Sequence, residues 1–339
     1  MKSDAEIREA VLGRWNSLTK PPRSLGRLEE LVLQYALARG TEMPAIERKA
    51  MYIFCGDHGV TSEGVSAYPS EVTAQMVLNF LSGGAAVSVL CRHYGIEPVI
   101  VDAGVAGDPA PGVVNRKIAG GTRNFCTGPA MTRAEAEAAI EAGRALAAEA
   151  AGRFDVAGTG EMGIGNTTSA SALLCAFARI PASEATGRGA GLDDDGIRRK
   201  ADAIERALAL HRPDPGDPVG VLASLGGFEI AMMAGFHLGS AAHRLPVVVD
   251  GFISGAAAMA ALTIDPGIRP FLFFSHLSAE RGHARLLEHA RAEPILDLEM
   301  RLGEGSAAAI AIGLIETALA LYRDMATFSS ACISGRKEE

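Results

Sequence analysis

Phe154-Asp-Val-Ala-Gly-Thr-Gly-Glu161-Met-Gly163-Ile-Gly165-Asn-Thr-Thr168 is the stretch whose reading decides the fold. It opens as a short apolar run, 154–158, passes at once into glycines, and ends in polar residues that start a helix. An apolar run without alternation is what a strand covered on both faces requires. Glycines after it let the backbone approach a ligand closely, and a helix start offers unpaired N–H groups to an anion. The same glycines would also serve a tight turn that binds nothing. The spacing fits neither the Walker pattern nor GxGxxG, so it indicates an anion-binding turn without naming the anion.

Working outward, five further runs read as buried strands: 50–54, 97–102, 218–223, 246–250 and 270–274. Helical patterns lie between them. Thr132 and Glu135 form a capping box that opens a helix to about Ala151. Asp193, Asp194 and Asp195 cap a second helix that runs to about His211, where Pro213 and Pro215 stop it. Alternation of this kind predicts an α/β fold with a mostly parallel six-stranded sheet and helices on both faces. The strands run into GDHG (56–59), DAGV (102–105), the glycine turn, SLGG (224–227), DGFISG (250–255) and SHLS (275–278). Small and polar residues thus gather at the carboxyl ends, where open α/β sheets bind ligands. Residues 1–40 and 284–339 read as wholly helical and are expected to form a small helical domain against a large α/β domain at 41–283. The excursion 104–131 shows little secondary structure, as functional or mobile loops do.

The 339 residues carry a net charge of −8, which argues against nucleic acid as a partner. Five cysteines without a CxxC pair point to a reducing compartment and away from disulfides or a structural zinc. The opening MKSDAEIREAVLGRW reads as a helix and not as a signal peptide. No apolar stretch looks long enough to span a membrane; the alanine-rich 306–322 contains Glu316 and looks too short. A cytoplasmic enzyme with no membrane partner is expected.

Several candidates stand out. Asp57-His58 invites a metal reading, but no second cluster has ligand spacing, and a strand-end turn explains both residues; His276 and His283 are similarly weak. Lys200 follows Arg198 and Arg199 and reads first as part of a solvated helix face, with the flexible Gly187-Arg-Gly-Ala-Gly191 ahead of it. In 68–80, a turn followed by an apolar helix, Gln75 is the polar residue that could face a planar apolar ligand. Glu304 sits between Gly303 and Gly305 at the head of a very apolar helix. A glutamate there is favourable by itself, yet flanking glycines leave its carboxylate unshielded, and a partly buried glutamate of raised pKa is a general base. Hydrolase and kinase signatures are missing.

Taken together, Lys20-Pro-Pro-Arg-Ser-Leu-Gly-Arg-Leu-Glu29, Cys55-Gly-Asp-His-Gly-Val60, QMVLNFLSGGAA (75–86), Gly121-Thr-Arg-Asn-Phe125, the glycine turn, 187–200, Asp250-Gly-Phe-Ile-Ser254, Ser275-His-Leu-Ser-Ala-Glu280 and Arg301-Leu-Gly-Glu-Gly305 closely resemble the nicotinate-nucleotide–dimethylbenzimidazole phosphoribosyltransferase family of cobalamin lower-ligand synthesis. Two departures are visible: Arg23 stands where the family carries glycine, and Ala67 where some members carry a polar residue near the base pocket. The resemblance implies a Rossmann-like large domain, a helical domain from both termini and a homodimer. It implies that nicotinate mononucleotide and 5,6-dimethylbenzimidazole give α-ribazole 5′-phosphate and nicotinate, with no cofactor and no metal. Carried over residue by residue, Glu304 is the general base. Glu161, Gly163 and Gly165 belong to the ribose and phosphate loop, and Lys200 to the phosphate. Asp250 and Ser278 line the nucleotide side, Leu302 joins the substrate-binding set, and Gln75 lies by the benzimidazole. A dinucleotide oxidoreductase using Asp102, or a nucleotide-binding regulator with no use for Glu304, are the rival readings.

Overall fold

The structure, a computed structural model, describes residues 2–189 and 191–334. The chain enters through α1 (Asp4–Ser17) and α2 (Arg27–Arg39), then forms β1 (Lys49–Gly56). Helices α3 (Glu71–Ser82) and α4 (Ala86–Tyr94) lead to β2 (Ile96–Gly104) and the two-residue β3 (Val114–Asn115). Then come α5 (Arg133–Ala151), β4 (Val156–Met162), α6 (Asn166–Ala178), the single turn α7 (Ala182–Ala185) and α8 (Asp194–His211). Helices α9 (Pro218–Leu225) and α10 (Phe228–Ala242) precede β5 (Val247–Val249), α11 (Phe252–Ile264), β6 (Leu272–Phe274), α12 (His283–His289) and α13 (Ser306–Asp324).

The six strands form one sheet in the order β3-β2-β1-β4-β5-β6, every pairing parallel. This is the doubly wound order of a Rossmann fold, whose topological switch point lies between β1 and β4. Strand β1 is buried along its whole length, and its side chains divide between two cores. Ala50, Tyr52 and Phe54 point into one with α5, α6, α10 and α11. Met51, Ile53 and Cys55 point into the other with α1, α2, α4 and α13. A period of two with both faces apolar is why the run lacks alternation in sequence. The capping box at Thr132 and Glu135 and the Asp193 cap are both present at the starts of α5 and α8.

Three expectations are corrected. The run 218–223 is helix, not strand: Asp217 caps α9 and Pro218 occupies its first turn, where a missing N–H costs nothing. The sixth strand is instead Val114–Asn115, inside the 104–131 excursion, which is pinned by backbone bonds such as Thr122 N–H to Asp57 O (2.9 Å) and Met131 N–H to Ala223 O (2.9 Å). The two ends are not helical throughout. Residues 18–26 form turns, and 290–305 runs beside the loop after β6, with Ile295, Leu277 and Ala279 N–H groups donating to Phe274, Leu296 and Met300 carbonyls. Finally, α13 spans 19 residues and, like the stretch Glu71–Tyr94, is long and apolar enough to cross a membrane by length and composition. It lies within the protein, buried along Ala307, Ala308, Ala311, Ile312 and Ile315, against α2, α4 and β4.

Candidate active site

A cleft of about 410 Å³ opens at the carboxyl ends of β1, β4, β5 and β6, at the switch point. The segment after β1 supplies Val65, Tyr68, Val72 and Met76, the last two on α3. The glycine turn supplies Glu161 through Thr167, and the loop after β6 supplies His276, Ser278 and Glu280. Arg301, Leu302, Gly303 and Glu304 complete it.

Glu304 is presented by an unusual turn. Gly303, Glu304 and Gly305 all have positive φ, 85°, 65° and 97°. The left-handed region suits glycine and is unfavourable for a residue with a side chain, so the two glycines make the turn and Glu304 is held in it by its surroundings. The turn presses against β4, where a methyl group on Gly160 would collide with the Glu304 carbonyl. Asp250, just past β5, accepts from Gly305 N–H (3.2 Å) and Ala308 N–H (2.9 Å), fixing the head of α13 to the sheet. Glu304 is 8 % exposed. Its Oε2 has no hydrogen-bond partner among the described residues. Burial raises its pKa, and the Val87 amide at the start of α4 works in the opposite direction.

Two more carboxylates lie close by. Glu161 accepts from Asn166 Nδ2. Burial, followed by the charge of Asp250, pushes its pKa up to about 8. Asp250 is pushed up to about 7 by burial, against the amides it caps. Burial, with the charge of Asp250 beside it, thus favours the protonated form of Glu161.

Lys200 is fully buried on the inner face of α8, while Arg198 and Arg199 are not. Its Nζ donates to Thr167 Oγ1 (2.8 Å), in the first turn of α6. Burial lowers its pKa to about 8, opposed by Glu280. Gly189 packs beside both Thr167 and Lys200, and Arg301 Nη1 donates to Gly189 O (3.2 Å). A buried cation, a helix start and a glycine turn therefore converge at one end of the cleft, the ingredients of an anion site.

The structure brings Glu161, Gly163, Gly165, Ser278, Leu302 and Glu304 together as cleft walls. Lys200 and Asp250 stand behind the walls and reach them through Thr167 and the 303–305 turn. Gln75 is exposed and outside the lining, whereas Val72 and Met76 of the same helix are in it. Reasoning from sequence passed over Thr167 and Asn166 as individual contacts and set His276 aside. The burial of Lys200 was legible in the stripe Gly196, Lys200, Ala203, Ile204, Ala207, which repeats at helical spacing. Asp57 and His58 lie outside the lining: Asp57 accepts from Ala106 N–H (2.8 Å), and His58 pairs with Glu229.

A model of a phosphoribosyltransferase family matches residues 1–333. The chain is 51% identical over 333 residues to the nicotinate-nucleotide–dimethylbenzimidazole phosphoribosyltransferase of Roseiflexus sp. (strain RS-1), covering 97% of this chain and 94% of that one. It is 51% identical over 334 residues to the protein of that name from Geobacter sulfurreducens, covering 98% and 95%. Among solved structures it is similar to CobT from Thermus thermophilus, with TM-score 0.93 at 44% identity over 97% of this chain and 99% of that one. A second structure of the Thermus thermophilus phosphoribosyltransferase aligns with TM-score 0.92 at 43% identity over 98% and 100%. With likeness running from the first helix through the Glu304 turn, the chain belongs to the nicotinate-nucleotide–dimethylbenzimidazole phosphoribosyltransferase family.

Proposed function

We propose that the cleft transfers the 5-phosphoribosyl group of nicotinate mononucleotide to 5,6-dimethylbenzimidazole, giving α-ribazole 5′-phosphate and nicotinate. The observation that carries this reading is Glu304: a buried carboxylate with a free oxygen, raised in pKa, beside an apolar slot walled by Val65, Val72 and Met76. The nucleotide's pyridinium leaves as neutral-ring nicotinate and needs no proton. The difficulty lies in the acceptor. One benzimidazole nitrogen attacks C1′ with its lone pair, and the other carries an N–H that grows acidic as positive charge develops. A carboxylate of raised pKa within reach takes that proton. Attack on the face opposite the leaving group converts a β- to an α-nucleotide.

The other residues support parts of the same geometry. Lys200, with Thr167 and the start of α6, suits the 5′-phosphate; Gly163 and Gly165 let it approach. Glu161 and Ser278 face the ribose, and Leu302, 56 % exposed, closes the slot. Val72 and Met76 are the α3 residues that meet the base, with Gln75 beside them on the exposed side. Asp250 acts through the turn that carries Glu304. Fixing C1′ between two bases is where positioning contributes. In this reading 41–283 binds the substrates, while the terminal unit, 1–40 with 284–339, brings Glu304 at the head of α13. A homodimer and a cytoplasmic setting belong to the same proposal. Family likeness supports the first, which sedimentation tests; five cysteines free of disulfides support the second.

Glu304→Gln tests the reading. At saturating substrates it is expected to lower nicotinate release by about two to four orders of magnitude, the span of a lost acid–base group, with nucleotide binding retained. Turnover like that of the wild type would remove Glu304 from this role.

A further inference from the structure

The GDHG turn after β1 takes no part in the cleft, yet its histidine lies directly beneath the glycine turn. The side chains of His58 and Glu229 are both fully enclosed. His58 Nε2 is 2.6 Å from Glu229 Oε1, and its Nδ1 is 3.1 Å from Ser169 Oγ. The Ser169 hydroxyl is also placed to donate to Gly226 O (3.3 Å). The pair thus joins the end of β1, the first turns of α6 and α10, and the 226–227 turn. The imidazole is also close-packed against glycines. A methyl group at Gly163 would strike Gly56 O and then reach His58 Cδ2 at 3.4 Å, one at Gly165 would meet Thr61 Cγ2 at 2.9 Å and His58 Cβ at 3.3 Å, and one at Gly227 would overlap the ring's Cε1, so His58 and the residues flanking it in the 56–61 segment together support the glycine turn. A buried imidazole–carboxylate pair gives little stability that an apolar side chain of the same volume would not. What it supplies is direction. Glu229 Oε2, with no partner among the described residues, shows that the arrangement is not optimised for polar satisfaction.

We propose that His58, oriented by Glu229 and Ser169, is a positioning residue: it sets the height of the 163–165 turn and so places the nucleotide's C1′ between the leaving nicotinate and the incoming base. It touches no substrate. The inference rests on the proposed function, because it takes 163–165 as the nucleotide's turn. A proton lies between Nε2 and Oε1 whichever atom holds it. Glu229→Gln keeps that bond, since the amide NH2 donates to Nε2 while Nδ1–H turns to Ser169; Glu229→Ala and His58→Ala abolish it.

The test is steady-state nicotinate release, with nicotinate mononucleotide varied at saturating 5,6-dimethylbenzimidazole and then the reverse. His58→Ala and Glu229→Ala are expected to lower kcat by about tenfold to a hundredfold, the scale of an ångström of misplacement. KM for the nucleotide should rise while KM for the base stays within about twofold, and Glu229→Gln should recover most of the loss. Unchanged nucleotide kinetics, an equal rise in both KM values, or a Glu229→Gln variant as impaired as Glu229→Ala would overturn the role. If His58→Ala does not fold, the contrast between Glu229→Gln and Glu229→Ala decides alone. Wild-type enzyme without base-dependent nicotinate release would overturn the underlying reaction instead, a different result from normal wild-type turnover with unaffected variants.

Discussion

Replacing Glu304 by glycine is expected to yield a protein that is more stable and nearly inactive. The wild-type residue sits at φ 65°, a conformation that costs a side-chain-bearing residue about 1–2 kcal/mol. Its Oε2 is buried without a partner among the described residues, at about 1–3 kcal/mol for a polar group so placed. Glycine removes both. Against that, it frees the unfolded chain by about 0.4–1 kcal/mol, and the start of α4 loses a carboxylate near Val87, about 0.3–1 kcal/mol. Central values leave about 2 kcal/mol in favour of Glu304→Gly at neutral pH. The sign with pH follows from the raised pKa. Glu304 stabilises the fold while protonated, and that contribution is lost as pH rises through its folded pKa. The advantage of glycine should therefore shrink on acidification below the ordinary carboxylate range. Urea unfolding reads it as a higher midpoint at unchanged slope, beside nicotinate release reduced by about two to four orders of magnitude. A midpoint at or below that of the wild type would refute the idea that this turn is held in strain for the sake of its carboxylate.

Two further outcomes follow from the same physics. Arg23, exposed and at φ 60°, should be improved by Arg23→Gly by about 0.5–1 kcal/mol in the same urea assay, with turnover unchanged. Glu161 and Asp250, raised to about 8 and about 7, bind more protons folded than unfolded. That contribution is full below about pH 4 and is lost as pH rises to about 8, whereas His237, His276 and His283, kept neutral by burial, act in the opposite sense below about 6.5. The measurement is therefore the difference between Glu161→Gln and the wild type, whose urea midpoints should move apart in the variant's favour as pH rises towards about 8; a difference that stays constant with pH would contradict it.

The sheet was legible in the sequence because β1 shows an apolar run from Ala50 to Cys55 and β2 and β4 hold shorter ones, Val99–Val101 and Val156–Gly158, without alternation. The run at 218–223 misled because a buried helix of eight residues carries the same composition; only Asp217 and Pro218 marked it as a helix start. The two residues of β3 are too few to show any period. At the site, Glu304 between glycines and the strand-end turns were readable as local patterns. The pairing of His58 with Glu229 was not, since 171 positions separate them and neither flank hints at the other. Gln75 was singled out by polarity within an apolar helix, but helical phase turns Val72 and Met76 to the cleft instead.

The slot's walls at Val65, Tyr68, Val72 and Met76 come from one short contiguous segment. Thr167 and Lys200, proposed for the phosphate, and the acid at the head of α13 come from elsewhere in the chain. On that proposal the acceptor slot and the nucleotide site are built by separate segments. On the proposed function, substitutions at Val65, Tyr68, Val72 or Met76 would change the ring the slot accepts without touching the groups proposed for the phosphate and the proton, whereas Ala67, exposed and outside the lining, would not.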